Sequence, residues 1–183
     1  MKIFSFYKIE RIKNLKSLKI KIIKEIQKNN IKGLVILSKE GINATIAGNN
    51  KDISNIVKYI KLILNIKKFD IENITYSSFI PFLKAKVKIK NEVVPMNYNF
   101  SFKNKITKNY LSPKKWDNLL SQKNVKIVDA RKPFEYEVGT FKGAVNPNTY
   151  NFREFKTYLS NLDKKQKIGM FCTGGIRLSL IHI

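Results

Sequence analysis

The sequence predicts an α+β unit followed by a second, α/β unit built on a parallel sheet. Two patterns carry this. Through the first half, strand-like and helix-like hydrophobic periods follow one another in the order β-α-β-β-α-β. Through the second half, short β-branched runs alternate with helical patterns, the arrangement that accompanies parallel strands. A chain of 183 residues with 43% apolar content can fill one large core or two small ones.

Residues 3–9 alternate as a strand. Residues 14–29 place Leu15, Leu18, Ile22 and Ile26 three and four apart, an amphipathic helix. Residues 32–38 (KGLVILS) read as a buried strand, Glu40-Gly41 as a tight turn, and 42–47 (INATIA) as the return strand of a hairpin. Asn49 or Asn50 caps a helix running to about Leu64, with Ile53, Ile56, Val57 and Ile60 on one face. Extended pieces follow at 73–77 and 83–90. This order predicts a compact ferredoxin-like or acylphosphatase-like unit over residues 1–95, its apolar positions simply core. Residues 96–109 have weak periodicity and read as a linker. Ser112-Pro113 then opens a helix, Ser as cap and Pro at the first helical position, with Trp116, Leu119 and Leu120 inward. Residues 125–129 (VKIVD) form a strand ending in a charged cluster. A helix is expected at 151–159, with Phe152, Phe155 and Leu159 buried, and a strand at 167–171 ends directly at Cys172.

The net charge of +23 suits a nucleic-acid partner, because Lys and Arg neutralise phosphates and release counterions. Codon bias produces the same excess: Lys, Ile and Asn all have A/T-rich codons, together make up 78 residues, and the lysines are spread along the chain. The charge permits an RNA substrate without identifying one. No apolar run is long enough for a membrane span, and the first sixteen residues interleave charge with apolar residues, unlike a secretory signal. The expected address is the cytoplasm. One cysteine excludes an internal disulfide framework and leaves a thiol available for chemistry.

That thiol sits in Cys172-Thr173-Gly174-Gly175-Ile176-Arg177. Paired glycines let the loop curl and aim its amides inward, and Arg177 adds a full positive charge. Such surroundings favour the thiolate, the working form of a nucleophilic sulfur, and would stabilise a persulfide or another anionic adduct. A plain buried cysteine is the bland alternative, but two glycines and an arginine are poor choices for an ordinary core turn. Loop length separates two chemistries: C-x5-R encloses a phosphate in tyrosine phosphatases, whereas the C-x4-R spacing here is that of rhodaneses, whose loop encloses a sulfur.

The segments GLVILSKEGINATIAG (33–48), VDARKPFEYEVGTFKGAVNPNTYNFREF (128–155) and MFCTGGIR (170–177) resemble the bacterial tRNA uridine(34) hydroxylase family in order and spacing. The resemblance implies an acylphosphatase-like domain followed by a rhodanese-like domain over 110–177. It implies oxygen-dependent hydroxylation of the wobble uridine of tRNA to 5-hydroxyuridine, with molecular oxygen as co-substrate. Cys172 matches the family's active-site cysteine and Arg177 its loop-closing arginine. Asp129, Arg131, Glu135 and Glu137 match a charged cluster beside the loop, where a structural ion-pair network is the competing role. No clustering of His and carboxylates suits a metal, no dinucleotide fingerprint is present, and no protein partner is indicated. A sulfurtransferase carrying a persulfide on Cys172, and a non-catalytic RNA-binding module, remain open.

After Arg177 the family resemblance stops. Residues 178–183 (LSLIHI) are the translation of CTGTCTCTTATACACATC, a transposase adapter end, and are expected to be an artefact of read-through. His182, the one histidine, falls in this segment and supports no argument. The rhodanese-like domain is therefore expected to be incomplete. It should lack the helix after the cysteine loop and a strand that would lie between 125–129 and 167–171, and a chain ending here should be inactive.

Overall fold

The computed structural model describes residues 1–95 and 110–181, so the predicted linker at 96–109 lies outside the described residues. The chain divides into two compact units, Met1–Val93 and Val94–Ile183.

The first unit runs β1 (Lys2–Ile9), α1 (Leu15–Lys28), β2 (Lys32–Ser38), β3 (Gly41–Gly48), α2 (Asn50–Ile63), β4 (Ile71–Tyr76) and β5 (Ala85–Ile89). Its sheet has the order β4-β1-β3-β2-β5, antiparallel except where β5 lies parallel to β2. Alternate residues of the strands (Phe4 and Phe6, Val35 and Leu37, Ala44 and Ile46, Val87) join Leu18, Ile22 and Ile26 of α1 and Ile53, Ile56 and Ile60 of α2 in one buried cluster. The period of two along the strands and of three to four along the helices meet on one face, as the sequence pattern requires. Burying each Ile contributes about 1.5–3 kcal/mol. Phe69, between α2 and β4, stacks on Phe6 with ring centroids 4.1 Å apart. Asn49 is the cap of α2, its side chain accepting from the amide of Asp52 at 2.8 Å.

Gly33 occupies the second position of β2 with φ +133°, and a Cβ there would lie 2.3 Å from the carbonyl oxygen of Thr45 on β3. Backbone cannot yield as a flexible side chain does. Gly33→Ala should therefore cost about 3 kcal/mol from backbone strain and overpacking together, read as a lowered urea midpoint of the first unit by far-ultraviolet circular dichroism.

The second unit contains α3 (Pro113–Leu120), β6 (Val125–Asp129), α4 (Pro133–Val138), α5 (Glu154–Ser160), β7 (Lys167–Phe171) and α6 (Ile176–Ile181). One cluster of its core joins Leu119, Ile127 and Ala144, with Trp116, Leu120, Val125 and Phe171 packed around them, and Val128, Phe152, Phe155 and Leu178 are buried as well. Trp116, Phe141 and Phe171 meet edge to face at 4.9–6.0 Å.

Several expectations are corrected here. The expected missing strand does not leave β6 and β7 as two open edges; they pair directly and in parallel from Val125↔Lys167 to Asp129↔Phe171, satisfying one another's backbone groups. On the other side of β6, Val145 donates to the carbonyl of Ile127 at 2.8 Å and accepts from the amide of Asp129 at 2.9 Å. A helix does follow the cysteine loop, since Ile176–Ile181 is helical and Leu178 is buried. Helix α5 begins at Glu154, not 151, because the Asn151 side chain accepts from the amide of Arg153 at 3.1 Å and Glu154 accepts from that of Tyr150 at 3.0 Å. These local bonds hold the preceding residues in a turn. Helix α4 has no counterpart among the predicted elements. Among the described residues no helix is long and apolar enough to cross a membrane.

Candidate functional site

Because β6 and β7 are parallel and in register, Asp129 and Phe171 end their strands side by side. The amide of Ala130 donates to the carbonyl of Phe171 at 3.0 Å, so Ala130 and Cys172 leave the sheet together. This is the carboxyl edge of a parallel sheet, where α/β folds place their chemistry. Cys172 is a free, half-buried thiol. The loop turns at Gly175, whose φ of +76° suits glycine, and a Cβ on Gly174 would meet nothing within 4 Å.

Helix α4 supplies the loop's anchor. Pro133 opens it with its preset φ, and Glu135, two residues on, accepts from the amide of Lys132 at 3.2 Å. The same carboxylate accepts from the hydroxyl of Thr173 at 2.6 Å and from Arg177 Nη2 at 3.4 Å. One side chain thus holds the loop just after its cysteine and again at its closing arginine. Burial pushes the Glu135 carboxyl upward, but the Thr173 hydroxyl, the Lys132 amide and Arg177 outweigh it and hold the group below the usual carboxylate range. The other guanidinium nitrogen, Arg177 Nη1, is buried without a hydrogen-bond partner among the described residues. An acceptor oxygen or an anionic sulfur placed there would relieve a cost of about 1–3 kcal/mol.

Asp129 is fully buried and organises the neighbouring segment. It accepts from the backbone amide of Arg131 (3.0 Å), from its Nε (2.9 Å) and Nη2 (2.7 Å), and from the Thr140 hydroxyl (2.9 Å). Arg131 also donates to the carbonyl of Gly139 at 2.6 Å and stacks over Phe171 at 5.4 Å. The Asn146 amide bridges the carbonyls of Asp129 and Arg131. Hydrogen bonds to Asp129 raise the affinity of Arg131 for its proton against desolvation, and the charges of Asp129 and Glu135 add to this. A fixed cation therefore stands over Phe171, the residue that precedes Cys172.

Desolvation raises the Asp129 carboxyl, but the bonds from Arg131 and Thr140 overcome it and lower the group below its ordinary value. For a carboxyl depressed in the folded state, the stabilisation is complete above the unfolded value and disappears as pH falls through the folded one. The second unit should accordingly weaken below about pH 4. Fluorescence of Trp116, the one tryptophan, reports this unit. Its urea midpoint should fall on acidification, and Asp129→Asn should flatten that dependence.

The structure brings Cys172, Thr173, Gly174, Gly175, Ile176 and Arg177 onto one loop and helix start, with Glu135 bound to it and Asp129 and Arg131 beside it. Glu137 is exposed and makes none of these contacts. Sequence reasoning passed over Thr140, Asn146 and the Gly139 carbonyl, whose types carry no motif. Among the described residues no group of His, Cys, Asp and Glu is placed to hold a metal ion.

Two family models match: a UPF0176 acylphosphatase like domain over residues 1–93 and a rhodanese-like domain over 112–182. Across 178 residues, 96% of this chain and 70% of the relative, it is 40% identical to a tRNA uridine(34) hydroxylase of Legionella pneumophila (strain Paris). The chain belongs to the tRNA uridine(34) hydroxylase family. A second member of that family, from Pelagibacter ubique (strain HTCC1062), is 53% identical over 175 residues, 96% of this chain. The chain spans 58% of that relative's length. Among solved structures, an acylphosphatase from Bacillus subtilis covers 49% of this chain and 99% of its own at 14% identity, with a TM-score of 0.37.

Proposed function

We propose that the full-length protein hydroxylates the wobble uridine, position 34, of tRNA to 5-hydroxyuridine, using molecular oxygen. The observation that carries this reading is the likeness across both units to proteins bearing that activity's name, with the cysteine loop intact. The overall reaction places one oxygen atom of O2 at C5 of uridine and releases the other as water. It consumes two electrons and two protons, which we assign to an external reductant of the thiol class, able to exchange with a lone cysteine. In this reading Cys172 is the working group. Arg177 and Arg131 supply positive charge beside the sulfur, and Glu135 sets the shape of the loop. The basic surface holds the tRNA backbone, and the protein works in the cytoplasm with its substrate. A sulfurtransferase reading draws on the C-x4-R loop and the rhodanese-like match, and predicts sulfur transfer in place of hydroxylation.

The test is mass spectrometry of tRNA nucleosides from cells with and without the gene. 5-Hydroxyuridine at position 34 should disappear with the gene and return with the full-length copy. Unchanged 5-hydroxyuridine in the deletion would overturn the proposal.

A further inference from the structure

The first unit has a cavity of about 340 Å³ that the cysteine chemistry does not use. It lies where the β1–α1 connection and the first half of α1 meet the end of α2, and its volume falls at the small end of the roughly 300–1,000 Å³ range of ligand pockets. Its lining is two-sided. The basic side carries Lys8, Arg11, Lys13 and Lys21, against a single acidic residue, Glu10. Lys8 is already paired with Asp70 at 3.0 Å, whereas Lys13 and Lys21 are exposed and have no acidic partner among the described residues. The first turn of α1 adds no acidic residue to offset them. The apolar side is formed by Ile12, Leu18, Ile63 and Leu64, with the Ser17 hydroxyl between the two sides.

A ligand that fits must join a flat, largely apolar body to an anionic group. An inorganic anion would leave the apolar wall unused, and a purely apolar ligand would leave the lysines unanswered. We infer that this cavity binds one nucleotide unit, its base against Leu64 and the neighbouring aliphatic wall and its phosphate at Lys13 and Lys21. Apolar contact with a base face is tolerant of sequence, and the lysines answer the charge that every nucleotide carries. That the nucleotide belongs to an RNA chain rests on the tRNA reading; the cavity's preference for nucleotides does not.

The experiment is a titration of the isotopically labelled 183-residue chain, followed by amide resonances. The probes are uridine 5′-monophosphate, uridine, inorganic phosphate and a short single-stranded oligouridine. Uridine 5′-monophosphate should shift resonances of residues 11–21 and 63–66 and bind more tightly than uridine or phosphate alone. Lys13→Gln with Lys21→Gln should weaken it at least roughly fivefold, while Lys51→Gln with Lys58→Gln on α2 should leave it unchanged. Leu64→Asn should weaken the nucleotide but not phosphate. No shift at these residues, or equal loss with both lysine pairs, would overturn the cavity as a nucleotide site. Tighter binding of the oligonucleotide at the same residues supports an RNA chain as the source. Tighter binding of the mononucleotide would overturn the RNA assignment, whether or not 5-hydroxyuridine depends on the gene.

Discussion

Cys172→Ser in the full-length protein should lower 5-hydroxyuridine formation at least a hundredfold, roughly 2.7 kcal/mol of barrier, while tRNA affinity stays within about twofold because the exchange removes no positive charge that could answer a phosphate. The exchange nearly conserves size. What it removes is the soft, readily ionised sulfur, the one thiol in the chain. The loop should survive, because its anchors are the Thr173 hydroxyl and the Arg177 guanidinium on Glu135, not the cysteine. Glu135→Gln should be milder, since an amide oxygen still accepts from Thr173 but no longer carries the charge that faces Arg177. Full hydroxylation by the serine variant would leave Cys172 as a packing residue. Loss of sulfur transfer from thiosulfate with hydroxylation untouched would favour the persulfide carrier.

Asp129→Ala should give the largest loss of stability in the second unit, about 3–5 kcal/mol, the scale for removing one partner of a buried ion pair. The carboxylate satisfies three donors of Arg131 and the Thr140 hydroxyl at once, and their bonds all converge on a residue with no solvent exposure. Without it the guanidinium is left half-buried over Phe171 with, among the described residues, only the Gly139 carbonyl as a strong acceptor. Such a loss is large against the roughly 5–15 kcal/mol by which whole domains are stable. Trp116 fluorescence should report unfolding at much lower urea, while the first unit, with its own core, keeps its circular dichroism. Coincident unfolding of both units at the wild-type midpoint would contradict the assignment of Asp129 as the organising residue.

The first unit was almost fully legible because its periods are long and unbroken. Ile22, Ile26, Ile53, Ile56 and Ile60 recur at helical spacing, and the strands alternate cleanly, so the same residues reappear as the buried cluster. Asn49 was ambiguous with Asn50 in sequence, and only the bond from Asp52 decides between them. In the second unit, the strands flanking the site were legible from VKIVD and KIGMF. Their direct pairing was not, since neighbour choice in a parallel sheet depends on chain segments far apart. Helix α4 is too short for a hydrophobic period to register. Its signal was Pro133 followed by Glu135, a start signature without a stripe behind it. Cys172 and Arg177 were visible because glycines and spacing mark them. Thr140 and Asn146 were invisible because a lone Thr or Asn in a loop has many roles, and only the fold brings these two to Asp129.

The most direct measurement follows the oxygen atom. Cells lacking the gene are complemented with full-length wild type or with Cys172→Ser and grown under ¹⁸O2, and their tRNA nucleosides are read by mass spectrometry. The wild type should yield 5-hydroxyuridine at position 34 carrying one heavy oxygen, and the serine variant should yield none. Labelled 5-hydroxyuridine from the serine variant, or wild-type product labelled from water instead of O2, would contradict the account.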